Sequence, residues 1–174
     1  MTSGTAVIAI EFEFDLEKTE AALAHLAGKG SPRSSAEKST ILLFLADRQH
    51  LLRFGRTITG DKYEARSTGP APVEIEKLHL AENSPVEGGA EALSESDRVV
   101  LDHVAEEYGT MTCAEIRDYS RSLAAYQNAW NGDDNVAYPM RFEDFFAETP
   151  DRAPILQELR EDRRLRRMFV DSSA

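Results

Sequence analysis

The residues able to do acid–base, nucleophilic or metal chemistry are few and scattered. The four histidines, His25, His50, His79 and His103, stand far apart. Asp47 precedes His50 by three residues, so the two share one face of any helix that carries them. An Asp–His pair can exchange a proton or begin a metal site. No further ligand follows at a diagnostic spacing, and the same pair can equally close a buried helix through an Asp–His or Asp–Arg hydrogen-bond network. Cys113 is the only cysteine, which excludes an internal disulfide and a cysteine-based zinc site. It could act as a nucleophile only beside a basic partner; otherwise it is a small buried residue. Phosphate-loop, dinucleotide, nucleophile-elbow and zinc-protease patterns are all missing from the sequence. Trp130 follows Tyr126 at helical spacing, as a core anchor or as a contact residue. Residues 151–174 carry +1 against -12 for residues 1–150, and Arg160, Arg163, Arg164 and Arg167 share one helical face. That stripe is either a solvated face or a docking stripe for an acidic partner surface.

These residues need elements to place them. Ile10, Phe12 and Phe14 alternate with Glu11 and Glu13, the period of a short strand or extended arm over residues 1–13. Asp15 can cap a helix striped by Leu16, Thr19, Leu23, Leu26 and Ala27, which Gly28, Gly30 and Pro32 stop. Ser34 and Glu37 have capping-box spacing, and the helix behind them runs from about Ser35 to Phe54. Its centre, Ile41 to Ala46, is apolar all round, so it reads as the covered central helix. Asp47, Arg48, Gln49, His50 and Arg53 make its last two turns polar, and Gly55 ends it. Thr57 to Arg66 reads as a short hairpin turning at Gly60-Asp61. Thr68 to Pro72 reads as a turn that feeds a short helix with Pro72 at its first position. A flexible loop at about 82–93 follows. Ser94/Asp97 and Thr112/Glu115 start two further helices. Asn131 to Asn135 is a turn cluster, Arg141 to Glu148 a short helix, and Ile155 to Val170 the last helix.

The expected fold is mainly α, a compact helical domain around a buried central helix with one short β-hairpin. The 174 residues, 41% hydrophobic and 29% charged, suffice for one core. With 31 acids against 20 bases the net charge is -11, which disfavours nucleic acid and anionic membranes as partners. The longest apolar run has six residues, far from the roughly 20 of a membrane span. The N-terminus shows no secretory pattern, and the expected location is cytoplasmic.

From Leu43 to Pro72 the chain reads LFLADRQHLLRFGRTITGDKYEARSTGPAP. This resembles the signature of the Panacea domain, the SocA-like antitoxin family: an apolar helix ending in A-D-R-x-H, then Y/F-G-R-x-I-T-G-D-x-Y, then G-P-V-P. The matching residues are Ala46, Asp47, Arg48, His50, Phe54, Gly55, Arg56, Ile58, Thr59, Gly60, Asp61, Tyr63, Gly69, Pro70 and Pro72. A weaker likeness continues through Ser94 to Asp97, Tyr108-Gly109, Thr112, Ile116 and Trp130, and spans roughly residues 14–146. Thr57 departs from the usual Pro, Ala71 from Val, and Ser120-Arg121 from a frequent Ser-His pair.

The resemblance implies a non-enzymatic bacterial antitoxin that neutralises a cognate protein toxin by direct contact, with no cofactor. The expected division of the chain is an arm or strand over 1–13, a Panacea-like helical domain over 14–148 and an Arg-rich helix over 149–174. One branch of the family works as an adaptor that presents its toxin to an ATP-dependent protease of the ClpXP type. The candidate partner-contacting residues are Asp47, Arg48, His50, Arg53, Arg56, Thr59, Gly60, Asp61, Tyr63, Gly69, Pro70, Pro72 and Trp130. Arg160, Arg163, Arg164 and Arg167 form a candidate second docking face for the protease. The reading of another class is a small metal-dependent enzyme around Asp47, His50 and Asp61.

Overall fold

The computed structural model describes residues 8–29, 35–83 and 89–172. The helices are α1 (Leu16–Lys29), α2 (Ala36–Phe54), α3 (Val73–Lys77), α4 (Leu80–Asn83), α5 (Glu95–Tyr108), α6 (Cys113–Ser122), α7 (Ala124–Ala129) and α8 (Arg152–Asp171). A small antiparallel sheet joins β1 (Tyr63–Arg66), β2 (Gly69–Pro72) and β3 (Tyr138–Pro139) in the order β2-β1-β3. Among the described residues no helix is long and apolar enough to cross a membrane.

Helix α2 is the centre. Every residue from Ile41 to Asp47 is buried, and α1, α5, α6, β2 and α4 pack around it. Ser35 caps it by accepting from the Lys38 N–H at 3.2 Å; Ser34, expected in that role, lies outside the described residues, as do Gly30 and Pro32. Gly55 ends α2 in the left-handed region (φ 74°), with its N–H on the Leu51 carbonyl. Asp15 caps α1 through the Lys18 N–H (3.0 Å). The capping box expected at Thr112/Glu115 forms, and Ser94/Asp97, expected as a helix start, makes one as well. The buried side of α1 is Thr19, Ala21, Ala22, Leu23 and Leu26, while Leu16 and Ala27 are exposed.

Several expectations need correction. The hairpin is Tyr63–Arg66 against Gly69–Pro72, not a turn at Gly60-Asp61. Gly60 does adopt positive φ (72°). The N–H groups around it, however, bond to side chains: Ile58 and Thr59 to Asp47, Gly60 to Thr57, Asp61 to Thr59. No donors remain there for a ladder. Residues 69–72 form a strand, and Pro72 is the N-cap of α3. Both prolines lie on an edge strand, where a missing N–H is tolerated. Phe142–Phe146 winds as a 3-10 helix, which brings Phe142 and Phe145 onto one side. The expected loop at 82–93 contains the end of α4 and a 3-10 turn over Ala90–Ala92. Helix α8 starts three residues early, and Pro154 sits in its first turn, where an amide has no intrahelical acceptor.

Residues 8–15 form no regular element and run as an arm. Ile10 is buried and its N–H reaches Glu143 Oε1 (3.2 Å). The Asp15 N–H donates to the Thr59 carbonyl (2.8 Å). Phe12 meets Phe142 edge-on with centroids 5.0 Å apart. Helix α8 lies beyond the arm. It turns Leu156, Leu159, Arg160 and Arg163 inward, with only Leu156 fully buried.

Candidate functional site

The signature residues assemble into two buried polar clusters at the end of α2. In the first, Asp47 is wholly buried and accepts four bonds. Oδ1 takes the Ile58 N–H (2.7 Å) and the Thr59 N–H (3.0 Å); Oδ2 takes Thr59 Oγ1 (2.5 Å) and Tyr63 Oη (2.7 Å). A carboxylate is all acceptor, and four convergent donors satisfy it without a counter-cation. Burial raises its pKa, and the donors oppose that rise. Burial, together with the charges of Asp47 and Asp61, pushes the Tyr63 hydroxyl well above an ordinary phenol. Asp61 accepts from the Lys62 N–H (2.7 Å), the Glu74 N–H (2.9 Å) and the Ile75 N–H (2.9 Å). It thereby pins the start of α3 to the loop. Burial raises its pKa too, against those backbone bonds.

The second cluster centres on Asp97, also wholly buried. Oδ2 lies 3.0 Å from Lys18 Nζ and accepts the Ser94 N–H (2.8 Å). Oδ1 lies 3.2 Å from His50 Nε2 and 3.0 Å from Arg56 Nη2, at ion-pair distance but without an aligned hydrogen bond. Burial would raise the Asp97 pKa, but the contacts to His50, Lys18 and Ser94 outweigh it and hold the carboxyl well below the usual range. His50 Nδ1 sits 2.7 Å from the Arg56 carbonyl, which can only accept, so Nδ1 carries a proton. Its Nε2 faces Ser96 Oγ (3.0 Å). Arg56 also donates to Ser94 Oγ (3.0 Å) and Ser96 Oγ (3.2 Å). One carboxylate thus ties α1, α2, the loop after α2 and α5 together.

Of the candidate contact residues, Asp47, His50, Thr59, Gly60, Asp61, Tyr63, Gly69, Pro70 and Pro72 are buried. Arg48, Arg56 and Trp130 are half-buried and Arg53 is exposed. Arg48 reaches Glu148 (2.8 Å). Arg53 lies over the ring of Phe54, itself 47% exposed. Trp130 stacks on Tyr126 and meets Tyr138 edge-on. The arginine stripe is split: Arg160 and Arg163 turn toward the domain, while Arg164 and Arg167 are exposed. Asp47, His50 and Asp61 do not form a metal site. Their polar atoms are committed to protein groups, and among the described residues no group of three or more His, Cys, Asp or Glu could hold a metal ion.

Sequence reasoning missed the convergence of Lys18, His50 and Arg56 on Asp97. Asp97 is legible only as a capping residue, and nothing local signals two cations from α1 and the loop after α2. Glu143, buried at the Ile10 amide, gave no signal either.

The family described as Antitoxin SocA-like, Panacea domain, matches residues 42–127, from within α2 to within α7. No curated protein matches the chain, and no solved structure does.

Proposed function

We propose, on the premise that residues 42–127 match the SocA-like antitoxin Panacea family, that the chain neutralises a protein toxin by binding it directly. The observation that carries this reading is the family match; the disposition of the signature residues agrees with it. Their polar atoms hold α2, the following loop, α3 and α5 in one rigid arrangement rather than opening onto a reaction centre. What they leave outside is a surface over the end of α2 and the start of α5. There Arg53 covers Phe54, and Leu52, Val99 and His103 line a shallow depression. Aromatic and arginine side chains are the residue types that anchor protein interfaces. A net charge of -11 draws a basic toxin and makes association salt-dependent.

The test is coexpression with the product of the neighbouring gene. Growth arrest by that product should be relieved, and the two proteins should co-purify. Double replacement of Arg53 and Phe54 by alanine should weaken the complex at least tenfold while leaving the fold intact. A wild-type protein that neither rescues growth nor retains the neighbour ends this reading.

A second reading, the proteolytic adaptor, is favoured by the exposed Arg164 and Arg167 on α8, which lies outside the matched residues. Replacing the exposed Arg164 and Arg167 by glutamine should then abolish toxin degradation while leaving toxin binding intact. Loss of both, or of neither, rejects the adaptor.

A further inference from the structure

The arm, the loop after α2 and helix α8 enclose a cleft of about 340 Å³. Unlike the chain as a whole, where acids outnumber bases, it is lined by four cations against three carboxylates, Glu13, Asp15 and Asp162. Three of the cations are committed. Lys18 and Arg56 each lie 3.0 Å from Asp97, and Arg166 Nε lies 3.0 Å from Asp162. The fourth, Arg163, lies flat on Phe12, with Cζ 3.8 Å from the ring centroid. Among the described residues no carboxylate is within ion-pair distance of Arg163, and none of its N–H groups has an acceptor. Stacking occupies the faces of a guanidinium and leaves its in-plane donors free. Burial pulls the Arg163 pKa below that of an ordinary arginine; Arg166 and Arg167 add to the effect, and Asp162 and Glu11 oppose it. A half-buried cation held in this way feels Asp162 and Glu11 only from beyond ion-pair distance and has no counter-charge in contact.

We propose that this cleft receives one carboxylate, an Asp or Glu side chain on an acidic segment of the protein partner, seated in the plane of the Arg163 guanidinium. This rests on the neutralisation reading and names one contact within it. The occupant is a monoanion because one guanidinium has in-plane donors without a contact partner, and because Glu13 and Asp15 in the same lining repel a phosphate dianion more strongly than a single carboxylate that the guanidinium can pair. Planar, two-point pairing with a carboxylate is what a guanidinium offers and an ammonium does not. Two of the three walls, the arm and α8, fall outside residues 42–127. The contact therefore belongs to this chain's own partner rather than to the matched domain in general.

The probe is a capped hexapeptide of alternating glutamate and glycine, with its glutamine counterpart as control. Binding to the full chain is followed through the Arg163 Nε–H resonance by NMR. The glutamate peptide should shift that resonance, more weakly as sodium chloride is raised, and the glutamine peptide should not. Arg163→Gln should weaken peptide binding at least tenfold, whereas Arg152→Gln, the same charge change on an exposed site of the same helix, should leave it unchanged. Equal binding of both peptides, no binding of either, retention by R163Q, or stronger displacement by inorganic phosphate than by acetate would each overturn the proposal. Its failure is separable from that of the parent reading. If the neighbouring gene product co-purifies as well with R163Q as with wild type, only the cleft assignment falls; if wild type retains nothing, the neutralisation reading itself falls.

Discussion

Replacing Gly60 by alanine should release the N-terminal arm, and the cost follows from two separate effects. Gly60 has φ 72°, a region where a side chain costs roughly 1 kcal/mol. Its Cα also lies directly beneath the arm: a Cβ built there would stand 1.8 Å from the Glu13 carbonyl oxygen and 2.5 Å from its carbon. Backbone cannot yield as a flexible side-chain tip would, so the arm must lift. Lifting it exposes Ile10, worth about 2 kcal/mol of burial. It also breaks the 2.8 Å bond from the Asp15 N–H to the Thr59 carbonyl, worth about 1 kcal/mol, and parts Phe12 from Phe142. The expected loss is about 4 kcal/mol. Gly132 is the internal control, since it has φ 84° and nothing within 4 Å of its added Cβ. Gly132→Ala should cost only the conformational part, about 1 kcal/mol. Urea denaturation followed by Trp130 fluorescence measures both. If the two variants agree within about 0.5 kcal/mol, the arm is not held against Gly60 and the reasoning is wrong.

Asp47→Ala strands two amide and two hydroxyl donors in the core and should cost at least about 3 kcal/mol in urea; a loss under 1 kcal/mol would contradict the buried network. Arg48→Ala removes a pair whose Glu148 partner is half exposed and should change stability by no more than about 0.5 kcal/mol in the same assay. Asp97 has a folded pKa below its unfolded value, so the unfolded chain binds the proton more readily in the window below about 4. Its stabilising contribution is complete at neutral pH and is lost as pH falls through that window. Asp97→Asn should therefore flatten the acid limb of a stability–pH curve; an unchanged limb speaks against the cluster. Asp47 has the opposite sign, because its folded pKa is raised. Its contribution is complete below the unfolded value and declines as pH rises through the folded one, a slope that Asp47→Asn should remove.

Much of the scaffold is legible in local patterns. The all-round apolar run Ile41 to Ala46 marks a helix with no solvent side, and both capping boxes mark helix starts where they occur. Gly55 and Gly60 announce positive φ. The misplaced hairpin has a physical cause. Thr57 to Asp61 has strand-like composition, yet Asp47 and the threonines take its amide protons, so the first ladder forms only at Tyr63. A carboxylate many residues upstream gives no local sign of that.

What the sequence alone determines here is what depends on neighbours along the chain: helix period, caps, glycine turns, net charge and the signature run from Leu43 to Pro72. Only the tertiary structure decides which polar groups of that signature face inward, because burial is set by what packs from elsewhere. Asp47 and His50 end the same helix, yet one is satisfied by neutral donors from the loop while the other is drawn to a carboxylate on α5. The split of the arginine stripe has the same origin. A helical wheel places Arg163 and Arg164 but does not know that Phe12 will arrive beneath one of them. Electrostatic partnerships join points distant in sequence, and the chain must fold before those distances exist.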